Sequence, residues 1–399
     1  MAIPTLSISA YTTVNALGRG VAASLRNLAQ GKSALRPCDF EDATLETWIG
    51  RVAGLEDEPI TGKLALFDCR NNRLARLGLE QDGFAQAVEN ARQHYGAGRI
   101  GVFIGTSTSG IQETELAYRQ RDQVTGQLPA EFRFRYTQNV FSVVDFSRHY
   151  LGLEGPALAI STACSSSAKV FAAAYRYLRA GLCDAAVVGG VDSLCLTTLY
   201  GFHSLELTSP QPCRPWDIDR NGLSLGEAAG FALLEWPGSA TRGPLLLGYG
   251  ESSDAYHMSA AHPEGVGAML AMQQALTNAG LRPDQVDYIN LHGTATPSND
   301  ASEDRAIVQL FGTRTPCSST KGWTGHTLGA AGITEAVFAC LCLEHGFIPA
   351  SLNTRQPDPK LSAAIVLTPQ SRPVNVVLSN SFGFGGTNCS LLFGKQQPC

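Results

Sequence analysis

The chain has 399 residues, of which 44% are hydrophobic and 16% charged, and its net charge is −5. This length and composition predict a large buried core and more than one ordinary domain. The net negative charge argues against a nucleic-acid-binding protein, because such proteins are usually basic. A local basic patch could still bind an acidic partner.

The sequence contains no signal for membrane insertion or secretion. The sequence has no run of about 18 apolar residues, so it predicts no transmembrane helix. The N-terminal stretch MAIPTLSISAYTTVNALG lacks the charged n-region and long apolar core of a signal peptide. Eleven scattered cysteines without a CxxC pair give no indication of zinc or a redox dithiol. We therefore interpret most of them as small buried residues of a protein in the reducing cytoplasm.

Short apolar runs alternate with helical patterns along the chain. The predicted strands are Ile100–Ile104, Ala157–Ile160, Ala185–Val188, Phe231–Glu235, Tyr288–Leu291 and Val376–Leu378. The predicted helices are Ser166–Ala180, Gly267–Ala279 and Gly332–Leu343. This alternation indicates an α/β layered protein with parallel or mixed sheets. The stretch from Gly243 to Asp254 divides it, and we predict an N-terminal half at 1–245 and a C-terminal half at 246–399.

The first candidate for chemistry is Cys164, in the sequence ALAISTACSSSAKVFAAAYRYLRA. A predicted strand ends just before it and a helix begins just after it. Unpaired N–H groups and the positive end of the helix dipole favour a thiolate, and the thiolate is the nucleophilic form. The backbone N–H of Cys164 is available to an oxyanion. A single cysteine in an apolar run is more often a packing residue, so this pattern alone leaves both interpretations open.

Two histidines and a lysine lie where predicted strands end. His292 follows the strand in VDYINLHGTATPSND, while Lys321 and His326 lie in the glycine-rich sequence STKGWTGHTLGAAG. His292 could also be a turn residue and His326 a helix cap. The two imidazoles and the thiol could in principle bind a metal, but no clustered ligand spacing supports this. Two neutral imidazoles could instead donate N–H bonds to a carbonyl oxygen that gains negative charge.

These motifs together resemble the β-ketoacyl-acyl-carrier-protein synthases. The resemblance is carried by STACSSS at Cys164, NLHGTATPSND at His292, STKGWTGHTLGAAGITEA at Lys321 and His326, and SNSFGFGGTN at 379–388. It extends through GTSTSG, RPWDIDRNGLSLGEAAG and ESSDAYHM, and so covers nearly the whole chain in the same order. The branch it most resembles is that of the elongating Cys-His-His condensing enzymes of fatty-acid and polyketide synthesis.

The resemblance implies a thiolase-like fold, with two similar α/β halves in five α-β-α-β-α layers, and a tight dimer. It also implies a role for each matching residue. Cys164 would accept the acyl group, His292 and His326 would bind the malonyl thioester carbonyl, and Lys321 would pair with Glu335 beside them. Phe384 would act as a gate and complete an oxyanion hole with Cys164. The expected substrate contacts are Thr294, Thr296, Phe382 and Gly385.

The expected substrates arrive on the phosphopantetheine arm of acyl carrier protein, so the resemblance implies no metal and no other cofactor. We expect a homodimer or a heterodimer with a chain-length-factor subunit. GTSTSG, ESSDAYHMSAAHPEG and NLHGTATPSND are also similar to the condensing enzymes of bacterial aryl polyene clusters. Since the carrier is acidic, we considered a basic helical face as its docking site, with an ordinary solvated helix as the alternative. The residues concerned are Lys63, Arg70, Arg73 and Arg76.

Four other functions were weighed. A thiolase would need a second catalytic cysteine within the C-terminal glycines, where Cys389 falls too late. An initiating Cys-His-Asn synthase would have asparagine in place of His326. A chain-length-controlling partner subunit would lack Cys164. A cysteine acyl hydrolase would need a group that orients its base, and no local signature supports one.

Overall fold

A computed structural model describes residues 2–238 and 243–395. Its helices are α1 (Val21–Gln30), α2 (Arg70–Leu79), α3 (Phe84–Tyr95), α4 (Ile111–Arg119), α5 (Ser142–Leu151), α6 (Ser166–Arg179), α7 (Leu196–Ser204), α8 (Val266–Ala279), α9 (Pro297–Phe311), α10 (Lys321–Thr324) and α11 (Ala331–His345). Its strands are β1 (Leu6–Asn15), β2 (Gly18–Arg19), β3 (Arg36–Pro37), β4 (Trp48–Gly50), β5 (Ile100–Gly105), β6 (Ala157–Ile160), β7 (Ala185–Asp192), β8 (Leu225–Gly226), β9 (Ala228–Glu235), β10 (Pro244–Ser253), β11 (Tyr288–Asn290), β12 (Pro316–Ser318), β13 (Phe347–Ile348), β14 (Ala364–Ile365), β15 (Gln370–Ser371), β16 (Val376–Gly383) and β17 (Thr387–Lys395).

Eleven of these strands follow one hydrogen-bonded path, in the order β14-β12-β11-β16-β17-β10-β1-β9-β7-β5-β6. Strands from the first part of the chain occupy one end of the path and strands from the second part occupy the other. The two groups join only where β1 pairs with β10, at Leu6↔Leu246 and Ser7↔Leu245. Each group is mixed, with parallel pairs such as β5–β6 and β11–β12 and antiparallel pairs such as β7–β9 and β16–β17. The sheet therefore repeats the division of the chain into two halves.

Helices cover the sheet in three layers. The cluster of buried residues from α6 and α11 contacts strands of both halves and forms the middle layer. In a second cluster of buried residues, α2, α3 and α5 pack on the outer face of the first half of the sheet. A third packs α8 and α9 on the outer face of the second half. With the two halves of the sheet, these helices make the five predicted layers.

The middle layer is tightly packed. In α11, every residue from Ala331 to Leu343 is buried. A Cβ atom at Gly332 would come within 2.5 Å of the backbone nitrogen of Ala168 in α6, so only glycine lets the two helices approach this closely. The segment Leu328–His345 has the length and hydropathy of a membrane span, but 89% of it is buried inside the protein. Its apolar character is that of a core helix.

The predicted elements are all present. The strand predicted at Ala157–Ile160 has those bounds, and the others extend or end within a few residues of the predicted ones, as at β16 and α11. Loops leave the carboxyl ends of parallel strands toward one region of the molecule. Strand β6 leads to Cys164 in the first half, while β11 and β12 lead to His292 and Lys321 in the second. Because β11 and β12 are parallel, His292 and Lys321 leave the same edge of the second half. Cys164 from the first half meets His292 and His326 in one cavity.

Candidate active site

Cys164 lies on a sharp corner between β6 and α6. The residue before it, Ala163, has a φ of +51°, a left-handed conformation that costs a residue with a Cβ about 1–3 kcal/mol. Hydrogen bonds hold the corner: Thr162 donates its N–H to the hydroxyl of Ser166, and that hydroxyl donates to the carbonyl of Ala163. The corner directs the Cys164 side chain into a cavity, where it is only 5% exposed.

The acidity of Cys164 differs from the expectation. Burial raises the pKa of the Cys164 thiol to about 12, although the charge of Lys321 and the backbone N–H of Phe384 act in the opposite direction. The prediction that the helix end would favour a resting thiolate is therefore wrong, because loss of hydration outweighs the nearby positive groups. The thiol must lose its proton as it reacts, and a nearby acceptor is needed.

The two predicted histidines face the cysteine. Nε2 of His326 lies 2.9 Å from Sγ of Cys164. The His292 ring is 5.3 Å from the His326 ring, centroid to centroid, at an interplanar angle of 86°. Burial and the charge of Lys321 lower the pKa of both imidazoles well below the ordinary value, so both rings are neutral at pH 7. A neutral ring carries one N–H donor and one acceptor nitrogen.

The backbone around His292 is held by a residue that the sequence analysis missed. Glu303 accepts the N–H of His292 at 2.8 Å and the N–H of Gly293 at 2.9 Å. It also accepts the side-chain amide of Asn380 at 3.1 Å. Burial raises the pKa of Glu303 to about 7. A sequence signal existed, since Asp300, Glu303 and Asp304 lie three and four residues apart, which puts three carboxylates on one face of α9.

Lys321 and Glu335 form the predicted pair. Nζ of Lys321 donates to Oε1 of Glu335 at 2.5 Å, and both residues are at most 3% exposed. Burial raises the pKa of Glu335 to about 7 against the effect of the lysine. The lysine is also the charge that lowers the pKa of both histidines and of Cys164. The structure thus places Lys321 where its charge acts on all three groups.

Phe384 begins the glycine-rich loop next to the cysteine. Its backbone N–H and that of Cys164 both interact with the sulfur, so the two donors converge as an oxyanion hole requires. Its ring stacks on Phe202 with centroids 5.5 Å apart, a partner that the sequence analysis did not identify. Gly385 has a φ of +80° and donates its N–H to the carbonyl of Met258. This left-handed position favours glycine.

Three predicted substrate contacts line the same cavity as the cysteine and the histidines. They are Thr294, Thr296 and Phe382. The two threonine hydroxyls are 2.9 Å apart and the Phe382 ring lies 5.9 Å from the His292 ring. Gly385 is between the lining residues Phe384 and Gly386 in the chain but does not itself line the cavity. Phe202, Leu207 and Leu223 add apolar surface.

The arginines of the expected docking face are not free. Arg70 is 5% exposed and pairs with Glu227 and Glu56. Arg73 pairs with Asp68, and Arg76 pairs with Glu58. The expectation of one basic face on this helix is therefore wrong, because nearby carboxylates neutralise its arginines. Lys63 lies outside the helix, is exposed, and makes no ion pair within the described ranges.

The thiol and the two imidazoles also meet the distance requirement for a shared metal ion. One ligand atom from each of Cys164, His292 and His326 lies within 4.8 Å of the others. Geometry alone thus allows metal binding as well as carbonyl binding. The comparisons with known proteins show to which family the chain is similar.

Two protein-family models match the chain. The model of the N-terminal domain of β-ketoacyl synthases matches residues 6–237. The model of the C-terminal domain matches residues 245–355. Among curated proteins, the mitochondrial 3-oxoacyl-[acyl-carrier-protein] synthase of Arabidopsis thaliana is 34% identical, over 96% of this chain and 91% of the relative. The 3-oxoacyl-[acyl-carrier-protein] synthase 2 of Vibrio cholerae is 32% identical, over 95% and 96%.

Solved structures agree with these matches. A ketosynthase from Xenorhabdus doucetiae, in complex with its chain length factor, is 41% identical with a TM-score of 0.88, over 98% of both chains. A structure of the ishigamide ketosynthase/chain length factor is 26% identical with the same TM-score, over 99% of this chain and all of the other. These likenesses confirm the predicted thiolase-like fold.

Proposed function

The chain belongs to the β-ketoacyl synthase family, and we propose that Cys164 is its acyl-accepting nucleophile, with His292 and His326 acting on the malonyl unit. The protein is a β-ketoacyl-[acyl-carrier-protein] synthase, an acyltransferase that joins a malonyl unit to an acyl chain with loss of carbon dioxide. The observation that carries the residue roles is the 2.9 Å contact between Nε2 of His326 and Sγ of Cys164 in one buried cavity.

In the proposed first step, the sulfur of Cys164 attacks the thioester carbonyl of the incoming acyl carrier. Nε2 of His326 takes the thiol proton, because the raised pKa keeps that proton on sulfur until attack. The carbonyl becomes a tetrahedral oxyanion that accepts from the N–H groups of Cys164 and Phe384. Its collapse breaks the bond to the carrier sulfur, which leaves as a thiol with the proton from His326.

In the proposed second step, malonyl carrier enters and its thioester oxygen faces the two imidazoles. The bond to the carboxylate breaks, carbon dioxide leaves, and the electron pair becomes an enolate. Neutral rings stabilise this oxygen by donating N–H bonds. Nδ1 of both rings lacks a partner among the described residues, so their neighbours fix neither tautomer. His326 can therefore accept a proton at Nε2 in one step and donate from it in the next.

In the proposed third step, the enolate carbon attacks the acyl group on Cys164. The new carbon–carbon bond forms as the second oxyanion develops, again at the N–H groups of Cys164 and Phe384. The bond to the cysteine sulfur then breaks and releases the β-ketoacyl carrier. The sulfur takes up one proton from solvent by way of Nε2 of His326, which replaces the proton consumed by decarboxylative condensation, and the cycle is complete. We propose that no resident cofactor takes part, since the thioester already supplies the activation.

The proposed partners are acyl carrier protein and a second subunit. The name of the curated relatives supports the carrier, and the Xenorhabdus doucetiae structure supports a chain length factor. Strand β6 supports subunit pairing, since it ends the hydrogen-bonded path of the main sheet and its Leu158 and Ile160 are half-buried. A homodimer is the alternative. Size measurement of the chain expressed alone and with a candidate cysteine-less subunit would separate the two.

We further propose a role in aryl polyene synthesis, a boundary between the halves near residue 245, and a cytoplasmic location. The motifs at GTSTSG, ESSDAYHMSAAHPEG and NLHGTATPSND support the first. The boundary near residue 245 is supported by the change from β9, which ends at Glu235, to β10, which begins at Pro244. The ten cysteines within residues 2–238 and 243–395 are free thiols, which supports the third.

Reconstitution tests the function. The protein, with its subunit partner where one is needed, is incubated with acyl carrier protein and malonyl carrier protein. A β-ketoacyl product bound to the carrier is expected, and free acid as the sole product would indicate a hydrolase instead. Intact-mass measurement before malonyl carrier is added should find the acyl group on Cys164, and digestion should map it there. Peptide mapping in the native host would also identify the acyl chain.

A variant with a neutral mimic of the acylated cysteine tests the division of roles. Cys164→Gln cannot accept an acyl group but leaves both histidines in place. We expect it to release carbon dioxide from malonyl carrier without forming a condensation product. Absence of carbon dioxide release in a folded Cys164→Gln protein would contradict the assignment of decarboxylation to the histidines.

A further inference from the structure

Asp192 is a fully buried carboxylate at the carboxyl end of β7, outside the set of residues assigned above. It accepts hydrogen bonds from the loop that follows the neighbouring strand β5. The N–H groups of Ser107 and Thr108 donate to it at 2.8 and 2.9 Å, and the hydroxyl of Thr106 donates at 2.7 Å. The hydroxyls of Ser107 and Thr108 also bind it. No cation pairs with it within the described ranges.

The same carboxylate reaches the second half of the chain. The N–H of Gly329 donates to Oδ2 of Asp192 at 2.6 Å. Gly329 is in the short turn Leu328–Ala330, which follows His326 and leads into α11. A Cβ atom at Gly329 would lie 2.7 Å from Oδ2 of Asp192 and 2.8 Å from the N–H nitrogen of Ser107. Glycine thus permits the turn to contact the carboxylate and the β5 loop at once.

This turn contains a strained residue. Leu328 is buried and has a φ of +53°, a conformation unusual for a branched side chain. Such a conformation persists only where the surroundings hold it. The hydrogen bond from Gly329 to Asp192 is the contact that fastens the next residue of the turn.

Little else holds the His326 ring. Its backbone is paired on one side, since its N–H donates to Ser224 and its carbonyl accepts from Gly226. Its Nδ1 has no partner among the described residues, and Nε2 contacts only the sulfur of Cys164 there. The ring position therefore depends on the backbone before it, which is paired, and on the turn after it, which Asp192 fastens.

We propose that Asp192 is a positioning residue that holds the Leu328–Ala330 turn and so keeps the His326 ring against Cys164. The proposal rests on the function above. Asp192 links three segments: the loop after β5, the end of β7, and the segment after α10 that carries His326. Asp192 acts through the turn and touches no reacting atom.

Two variants test this from opposite sides. Asp192→Asn keeps the size but presents an amide N–H₂ to donors of the turn or the loop. Gly329→Ala keeps the charge but inserts a methyl group between the turn and the carboxylate. Since misplacement of a catalytic group by about 1 Å costs about 10²-fold in rate, we expect both to lower kcat about 10²-fold while KM for either carrier stays within about twofold.

A second readout separates positioning from general damage. The negative charge of Asp192 raises the pKa of Cys164. In Asp192→Asn the pH profile of Cys164 alkylation by iodoacetamide should therefore move to lower pH, even though condensation is slower. In Gly329→Ala the charge remains and no such move is expected. The alkylation shift thus reports the lost charge, whereas a loss of kcat in both variants with KM unchanged reports the displaced turn.

Asp217→Asn is the matched control. Asp217 is also buried and accepts three backbone N–H groups, from Asp219, Arg355 and Gln356, but it has no hydrogen bond to the Leu328–Ala330 turn and does not line the Cys164 cavity. Unfolding temperatures identify variants that fail to fold, and if Asp192→Asn is one of them, Gly329→Ala decides. Near-normal kcat in Gly329→Ala, or an equal loss in Asp217→Asn, would overturn the proposal. Failure of the wild-type protein to condense would instead reject the function.

Discussion

The nucleophile side and the histidine side of the cavity are held in different ways, and the nucleophile side combines Cys164 from the first half with Phe384 from the second. On the nucleophile side, Cys164 follows a strained corner at Ala163, and the backbone N–H groups of Cys164 and Phe384 act to lower the pKa of its sulfur. On the histidine side, the backbones of His292 and His326 are hydrogen-bonded, but Nδ1 of neither ring has a partner among the described residues. In the proposed function the nucleophile side holds the acyl group, while the histidine side carries rings whose tautomer no described partner at Nδ1 fixes.

This difference follows from what each side must do. An oxyanion must form twice at the same place, so its donors are main-chain groups that cannot rotate. The histidines must act as acceptor and donor in turn, so a permanent partner at Nδ1 would lock one tautomer. Lys321 lies near both sides and affects the pKa of all three groups. The proposed function thus separates covalent holding on the nucleophile side from proton handling on the histidine side, and each side can be tested by itself.

The largest effect is expected on the nucleophile side. Cys164→Ala should lower condensation about 10⁴-fold or more, because no other group can hold the acyl chain. Product is measured by mass spectrometry of the carrier. Cys195→Ala is the matched control, since Cys195 is equally buried and burial also raises its pKa to about 12. Continued elongation by Cys164→Ala would disprove the central assignment.

The next largest effect is expected on the histidine side. His292→Asn and His326→Asn should each lower carbon dioxide release from malonyl carrier about 10²–10³-fold, because each removes one donor to the enolate oxygen. His292→Asn should still form acyl-Cys164, since the 2.9 Å contact to sulfur belongs to His326. Carbon dioxide release is measured with radiolabelled malonyl carrier, and acylation of Cys164 is measured by intact-mass spectrometry. Equal loss of both steps in His292→Asn would contradict the separation of the two sides. The exposed His257 provides a control substitution.

A smaller effect is expected on the pKa of Cys164, which depends on burial of the thiol and on the charge of Lys321 from the histidine side. Since its pKa is about 12, the rate of alkylation by iodoacetamide should rise through pH 7 to 10 without levelling off. Lys321→Met removes the largest influence that lowers this pKa, so the thiolate fraction at pH 8 should fall and alkylation should slow about tenfold. Lys169→Met is the control, because Lys169 pairs with Glu251 instead. A plateau below pH 8 in the wild type would show that the helix end, and not burial, decides the acidity.

The smallest effect is expected outside the cavity. Lys63 is exposed and unpaired within the described ranges, whereas the arginines of α2 are neutralised. Lys63→Ala should raise KM for the acidic carrier about twofold to fivefold at low salt and leave kcat unchanged, as is typical of one exposed charge. Lys32→Ala, another exposed lysine, is the control. An equal change in both variants would exclude a specific role for Lys63 in docking.

Local patterns in the sequence predicted the elements well. The strand before Cys164 and the helix after it were predicted because an apolar run, a group of small residues and an alanine-rich helical pattern follow one another directly. His292, Lys321 and His326 were found because each follows a predicted strand or a glycine-rich turn. The resemblance of the motifs then assigned expected roles, including the Lys321–Glu335 pair that the structure contains.

Contacts between distant segments were beyond local patterns. Glu303 and Asp192 hold the backbone around the histidines from α9 and β7, and Phe202 stacks on Phe384 from α7. The helical spacing of Arg70, Arg73 and Arg76 suggested a shared basic face, but the carboxylates that neutralise them come from Glu56, Asp68, Glu58 and Glu227.

The sequence by itself determined on which elements the candidate groups lie, because strand ends, helix starts and glycine turns depend on near neighbours. Only the tertiary structure decided how those groups behave. Burial raised the pKa of Cys164 and lowered those of His292 and His326, and burial is set by every layer around the cavity. The physical reason is that hydration and charge act through space, so their balance depends on residues far apart in the chain.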